Sequence, residues 1–268
     1  MWRSTAITEA DVFLLIPDPL LATVRRFEAV GFRAWPAAEA HFDGTWLIRL
    51  TPGNSARRLN SVNPLDARDI SDFDARIARA RTRFERAGRP LTFRMSPLSG
   101  ERLSDHLDRL GWAALSPSVV MRLPLDDAAV TGAMDHIPLR DVGRFAAAAA
   151  AVRGASGLAE PGLAALLGAI EAEPGLFVLE RDGTPLATVV CVHDGELAGL
   201  FEVATASGER GKGHARGLVL SALKWARLKG AREAWLQVEA DNRAARRLYA
   251  SLGFRDLYRY HYRQPVEP

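Results

Sequence analysis

Apolar and polar positions along this chain alternate between two periods, and the switches mark its elements. In "DFDARIARARTRFERAG" (residues 72–88) the apolar positions Phe73, Ile77, Ala80 and Phe84 recur at i, i+4, i+7 and i+11. That is one face of a helix, and Gly88 ends it. "LTFRM" (91–95) follows as a short strand, "LSDHLDRLGW" (103–112) as a second helix, and "VVMRLPL" (119–125) as a closing strand. The same order returns later as "HARGLVLSALKWARLKG" (214–230), "AWLQV" (234–238), "ARRLYASLGF" (245–254) and "YRYHYRQ" (258–264). "LIRLTPGNSARRL" (47–59) and "VVCVHDGELAGLF" (189–201) both read as strand, glycine turn, strand.

The recurrence has a fixed interval. Shifting the chain by 142 residues superposes Gly53 on Gly195, Gly88 on Gly230 and Gly111 on Gly253 without a gap. Glycines punctuate any α/β chain, but three coincidences inside one order of elements point to a duplication. Two α/β lobes are therefore expected, residues 1–128 and 129–268. Their boundary falls in "PLDDAAVTGAMDHIP" (124–138), which has no sustained periodicity. Residues 145–175 read as two helices flanking "RGASGLAEPG".

The copies differ in chemistry. Arg210 falls on Arg68, but Gly213 falls on Ser71, Ala215 on Phe73, Glu202 on Asn60, Asn242 on Gly100 and Tyr249 on Leu107. The first lobe lacks both the small and the polar residues, so any chemistry is expected in the second.

Composition narrows the classes only slightly. "VFLLI" (12–16) is cut by Pro17 and Asp18, no apolar run approaches a membrane span, and a cytoplasmic location is the default expectation. Cys191 is the single cysteine, which excludes a disulfide framework and a cysteine metal site. A formal charge of +3 on 268 residues argues weakly against nucleic acid as a partner.

Candidate chemistry centres on "GERGKGHARG" (208–217), between the strand "LAGLFEVAT" (197–205) and the helix that opens at His214. Unpaired N–H groups and the macrodipole make a helix N-terminus favourable for an anion. Gly211 and Gly213 would let backbone approach it, and Ala215 adds only a methyl group. The bland alternative is a solvated turn. Two phosphate loops are excluded. A P-loop would place Lys and Ser/Thr after its last glycine, where His214 and Ala215 stand. A dinucleotide fingerprint would need glycine or alanine where Arg216 stands. His214 has no metal-site partner motif.

Arg210, Gly213 and Ala215 spell Arg-x-x-Gly-x-Ala, and "LQVEADNRAARRLYASLGF" (236–254) adds a strand followed by Asn242, Tyr249, Gly253 and Phe254. Together these resemble the two signatures of the GNAT family of N-acetyltransferases, over about residue 137 to the C-terminus. The resemblance implies a mixed-sheet α/β fold with two tandem acyl-coenzyme A N-acyltransferase lobes, the first a degenerate copy that packs on the second and completes its sheet or cleft. It implies acetyl-coenzyme A as co-substrate, no metal, and a small-molecule or peptide amine as acceptor. Residues 210–215 (Arg210, Gly211, Lys212, Gly213, His214 and Ala215) would hold the pyrophosphate. The backbone of Val203, Ala204 and Thr205 would hold the arm and the acetyl oxygen, from a strand splayed off its neighbour. Asn242 and Ala245 would flank the arm.

Asn242 and Tyr249 lie seven residues apart, so on a helix they face the same way, about 10 Å apart along the axis. By resemblance the Tyr249 hydroxyl protonates the departing thiolate; the residue by itself reads equally as a half-buried helix aromatic. Glu202 is the first candidate to bind the amine or take its proton, in competition with Glu239, Asp241, Glu196 and His193. Tyr258, Tyr260 and Tyr262 alternate on the last strand as packing residues. A non-catalytic acyl-coenzyme A sensor would need the loop but neither Tyr249 nor Glu202. Acyl length, oligomeric state and the identity of the acceptor stay open at this point.

Overall fold

The computed structural model describes residues 19–154 and 160–266. The stretch "VFLLI" and the centre of the loop "RGASGLAEPG" lie outside the described residues. In chain order the first half forms α1 (Pro19–Ala34), β1 (Glu39–Asp43), β2 (Trp46–Leu50), β3 (Ser61–Pro64), α2 (Phe73–Arg86), β4 (Phe93–Met95), α3 (Glu101–Arg109) and β5 (Ala113–Pro124). The second half forms α4 (Val142–Arg153), α5 (Glu160–Gly168), β6 (Glu173–Arg181), β7 (Thr184–Asp194), β8 (Leu197–Thr205), α6 (His214–Leu228), β9 (Glu233–Glu239), α7 (Arg243–Ser251) and β10 (Arg255–Gln264). Residues 125–141, where the sequence breaks its periodicity, carry no helix or strand longer than an isolated bridge. Among the described residues no helix is long and apolar enough to cross a membrane.

Among the described residues ten strands join one sheet, in the order β1-β2-β3-β4-β10-β5-β9-β8-β7-β6. The centre of that order is the unexpected feature. β9 pairs not with β10 but with β5, from Ser118↔Glu239 to Pro124↔Glu233. β10 in turn pairs with β4, from Met95↔His261 to Phe93↔Arg263. Each half therefore lends its closing strand to the other. β5 and β10 pair antiparallel with each other, and Ser118 faces Tyr260, the residue 142 positions ahead of it. A residue facing its own repeat equivalent is what a two-fold relation between duplicated halves requires.

Side chains fix the exchange. α1 lays Val24, Phe27, Val30 and Ala34 into a core shared with the second half. Phe27 meets Trp235 of β9 edge-on at 6.3 Å, and Trp35 stacks on Phe201 of β8 at 4.7 Å. Gly199 is needed at this packing: a Cβ there would lie 2.7 Å from the Trp235 ring and 2.8 Å from Phe201. Beneath these rings Glu28 of α1 pairs with Arg94 of β4, both 3% exposed. Tyr258 of β10 donates its hydroxyl to Glu28 at 2.5 Å, and the Arg94 guanidinium lies 3.7 Å over the Tyr260 ring. Burial, with the Glu28 charge beside it, holds the Tyr258 pKa well above the phenol range. A buried charge satisfied on several sides has one favourable arrangement, so this cluster fixes the register of β10.

The exchange gives a direct test. Residues 129–268 produced alone lose β5, which exposes the β9 edge and leaves β10 without either neighbour. That fragment is expected to aggregate, whereas residues 113–268, which restore β5, are expected to be more soluble. A soluble 129–268 fragment with a cooperative thermal transition would show that the exchange is dispensable.

Candidate active site

β8 starts as an interior strand and ends as something else. Its first residues pair in parallel with β9, from Leu197↔Glu233 to Leu200↔Leu236, and there the ladder ends. On the other side pairing with β7 continues to Thr205, but with a bulge between Val190↔Phe201 and Thr188↔Ala204. Glu202 sits in the bulge at φ +50°, the left-handed region that side chains disfavour. The Thr188 hydroxyl donates to the Glu202 carbonyl at 3.0 Å and holds the kink. The extra residue inverts the alternation. Ala198 and Leu200 face the α6 core and Phe201 the α1 core, yet beyond the bulge Val203 returns to the α6 side. Beyond Leu200 the β9-facing backbone of β8 has no strand to pair with, so the expected splay is present.

The splay opens onto two joined cavities. The first, of about 720 Å³, runs between β8, the turn before α6, and α7. Val203, Ala204 and Thr205 line it, as do Arg210, Gly211, Gly213, His214 and Ala215. Gly211 and Gly213 adopt φ +78° and +84°, and a Cβ on either would meet no atom within 4 Å. Conformation rather than crowding therefore selects glycine here. Lys212 points elsewhere: its Nζ pairs with Glu209 at 2.8 Å, and His214 Nε2 lies 2.8 Å from the same carboxylate. The Lys212 and His214 hydrogen bonds hold the Glu209 pKa low.

Asn242 is the N-cap of α7, its side-chain oxygen accepting from Ala245 N at 3.1 Å. Its amide group remains to donate into the cavity, which Asn242, Ala245 and Tyr249 all line. Tyr249 is 6% exposed, and burial pushes its pKa up to about 12. Its ring packs against Phe254, and no hydrogen bond engages its hydroxyl among the described residues.

The second cavity, of about 520 Å³, continues from the first. Arg153, Val203, Asn242, Ala245 and Tyr249 border both. Glu202 lines the second, and its carboxylate lies 2.7 Å from Arg153 Nη2 at the end of α4. Burial raises the Glu202 pKa above the ordinary glutamate value, while Arg153 and then Arg58 pull it down. Glu239 also lines this chamber, but Asp241, Glu196 and His193 do not. Glu196 instead pairs with Arg26 and Arg232 at the β7–β8 turn.

Several lining residues had no counterpart in the sequence reading. Tyr260 and Tyr262 are packed as expected, 4% and 5% exposed, but they also face the chamber. Arg57, Arg58, Ser116, Ser118 and Gln237 line it too, the first four through the exchange that brings β5 and the first half to this cleft. A signal was available for the two arginines. Arg57 and Arg58 fall on Gly199 and Leu200 under the 142-residue shift, so two charges replace an apolar strand segment.

A sheet splayed beside a glycine turn and a helix N-terminus is the arrangement that the resemblance to GNAT acetyltransferases implied. Residues 155–254 match the Acetyltransferase (GNAT) family. The "Uncharacterized N-acetyltransferase YobR" of Bacillus subtilis is 26% identical over 251 residues, covering 90% of this chain and 98% of YobR. A GCN5-related N-acetyltransferase from Kribbella flavida has a similar structure, with a TM-score of 0.64, 18% identity and coverage of 92% of this chain and 96% of that one. A tandem GNAT protein from the clavulanic acid biosynthesis pathway is similar at a TM-score of 0.59 and 14% identity, over 90% of this chain and 88% of that one. The second half of the chain is thus similar to the acetyltransferases of the GNAT family, and the similarity in fold extends over nearly the whole chain.

The bulge itself is testable. In an Arg153→Ala parent, where no ion pair is left to lose, Glu202→Gly relieves a left-handed side chain and an interior carboxylate, and is expected to stabilise the fold by about 1 kcal/mol. A urea midpoint at or below that of the parent chain would show that the bulge carries no strain.

Proposed function

We propose that the second lobe, residues 129–268, transfers an acetyl group from acetyl-coenzyme A to a primary amine by direct attack. The observation that carries this reading is the continuity of the two cavities at Tyr249. One cavity has the glycine cradle of an anion site, the other a carboxylate of raised pKa, and a protonated phenol stands between them.

Acetyl-coenzyme A supplies the acetyl group as a thioester. The backbone of residues 210–215 would hold its pyrophosphate at the α6 N-terminus, with the Lys212 side chain turned away to Glu209, and Asn242 and Ala245 would border its arm. Those backbone N–H groups of residues 203–205 that face away from β7 would stabilise negative charge building on the carbonyl oxygen. Glu202 takes a proton from the amine. Its burial favours that role, since a carboxylate of raised pKa is a stronger base. Tyr249 keeps its proton at neutral pH and donates it toward the leaving sulfur. The first lobe, 1–128, is a decayed copy that supplies a wall of the acceptor chamber. In it Phe73 stands where Ala215 stands in the second lobe, and stacks on Trp46 at 6.1 Å, filling the corresponding space.

Thioester consumption with a panel of amines tests the reaction. Tyr249→Phe is expected to lower turnover by about 10²-fold or more while changing thioester binding by less than about twofold. Equal losses in both would make Tyr249 a structural residue, and full turnover would remove it from the reaction.

The pH profile tests the base. Glu202 must be deprotonated to act, so activity is lost as pH falls through its raised pKa. Arg153 lowers that pKa, so Arg153→Ala is expected to move the acid limb to higher pH, and Glu202→Gln to abolish the limb. An acid limb unmoved by both substitutions would assign the proton transfer elsewhere.

A further inference from the structure

The acceptor chamber is electrically polarised. Its wall from the second half carries Glu202 and Glu239, and its wall from the first half carries Arg57 and Arg58. Glu202 is already balanced by Arg153. The charges left for a ligand are therefore Glu239, three residues before the Asn242 cap at the donor end, and the arginine pair across the chamber. Among the described residues neither Arg57 nor Arg58 forms a close ion pair, and Arg58 acts on Glu202 only across the chamber, more weakly than Arg153 does. Arg57 Nη1 donates to Ser116 Oγ at 3.1 Å, and the Arg58 guanidinium lies 5.7 Å over the Phe201 ring.

The arginine wall is built rather than incidental. Arg57 and Arg58 open a short 3-10 turn, residues Arg57–Leu59. Asn60, 3% exposed, donates from beneath to the carbonyls of Asn54 at 2.9 Å and Ala56 at 3.1 Å. Arg49, equally buried, donates to the Arg58 carbonyl at 2.9 Å. Burial lowers the Arg49 pKa to about 10, a cost taken on to hold this turn. Two adjacent guanidinium groups facing one cavity repel each other, and an anion between them relieves that repulsion.

We propose that the acceptor is an amine that also carries a carboxylate, such as an amino acid. Its carboxylate is bound by Arg57 and Arg58, and its amine points past Glu239 to Glu202 and the donor groove. This rests on the acetyltransferase reading of the same cleft. A planar, forked guanidinium matches a carboxylate in both charge and shape.

The test uses the full-length chain saturated with coenzyme A, or the chain alone should coenzyme A not bind. Glycine, β-alanine, 4-aminobutyrate and lysine are titrated calorimetrically beside their carboxamides, with thioester consumption followed in parallel. At least one acid is expected to bind about tenfold tighter than its amide, a difference of about 1.4 kcal/mol. Arg58→Ala and Arg57→Ala are expected to remove that preference without weakening the amide, and Arg58→Lys to restore part of it. Equal binding of acid and amide, no binding of any acid, or a preference that survives both alanine substitutions overturns the proposal. Acetylation of neutral amines without an acid preference sinks this inference and leaves the acetyltransferase reading. Arginine-dependent binding of acids without thioester consumption does the reverse.

Discussion

The pairing of β5 with β10 at the centre of the sheet is the constraint on which the rest depends. Neither half contains a complete sheet, because each half's closing strand lies beside the other half's β4 or β9. The two lobes expected from the 142-residue repeat therefore share one sheet and a core cluster that crosses between them. The Glu28–Arg94 pair with Tyr258 ties three separate elements at that centre. Removing one member of such a pair strands a buried charge, at a cost of about 3–5 kcal/mol. That is a large fraction of a typical domain's net stability. The same cluster underlies the chamber, since Tyr260 and Tyr262 of β10 form its floor from the strand that Tyr258 anchors.

A single inserted residue then divides the cleft by function. The bulge at Glu202 reverses the parity of β8, so the strand packs as core up to Phe201 and as cavity wall beyond it. Without the bulge, Glu202 would share the face of Leu200, inside the apolar α6 core. With it, the carboxylate meets Arg153, and Val203 to Thr205 run along the groove. The first half follows another path at the equivalent place. Asn60, the counterpart of Glu202, is buried and spends its amide on the backbone of its own turn. A position that lines the cavity in one lobe is scaffold in the other.

Much of this was legible in the sequence, for identifiable reasons. Helices at 73–86, 214–228 and 243–251 follow from apolar periodicity and glycine stops, which are local signals. The groove at 203–215 was legible because its residues lie within one loop and its flanks. The chamber was not, because it is assembled from residues that are distant in sequence. Periodicity identifies a strand but not its neighbours, so nothing in "VVMRLPL" or "YRYHYRQ" announces that the two strands exchange places. Tyr260 and Tyr262 illustrate the limit. Their alternation with Tyr258 correctly reads as packing, yet the cavity they also face exists only once β5 and β10 meet.

The asymmetry between the halves is better understood as division of labour than as simple loss. In the second half, Gly211, Gly213 and Ala215 leave room before α6, and that room is the groove. In the first half the equivalent space is filled. Phe73 stacks on Trp46, the Arg76 guanidinium lies 3.9 Å over the same ring, and Asp69 pairs with Arg76 at 2.9 Å. Filling a cleft with an aromatic stack and a paired guanidinium adds buried contact to a half that must support a shared sheet. Meanwhile the segment equivalent to the start of β8 has become a tight turn presenting Arg57 and Arg58 across the chamber. Strand exchange makes that change useful, because it carries the altered segment to the other lobe's cleft. Two copies related by a two-fold axis would otherwise build two identical sites. Here aromatic and charged side chains occupy the first half's counterpart of the groove, and its counterpart of β8 helps to wall the second half's chamber, which therefore has two chemically distinct sides.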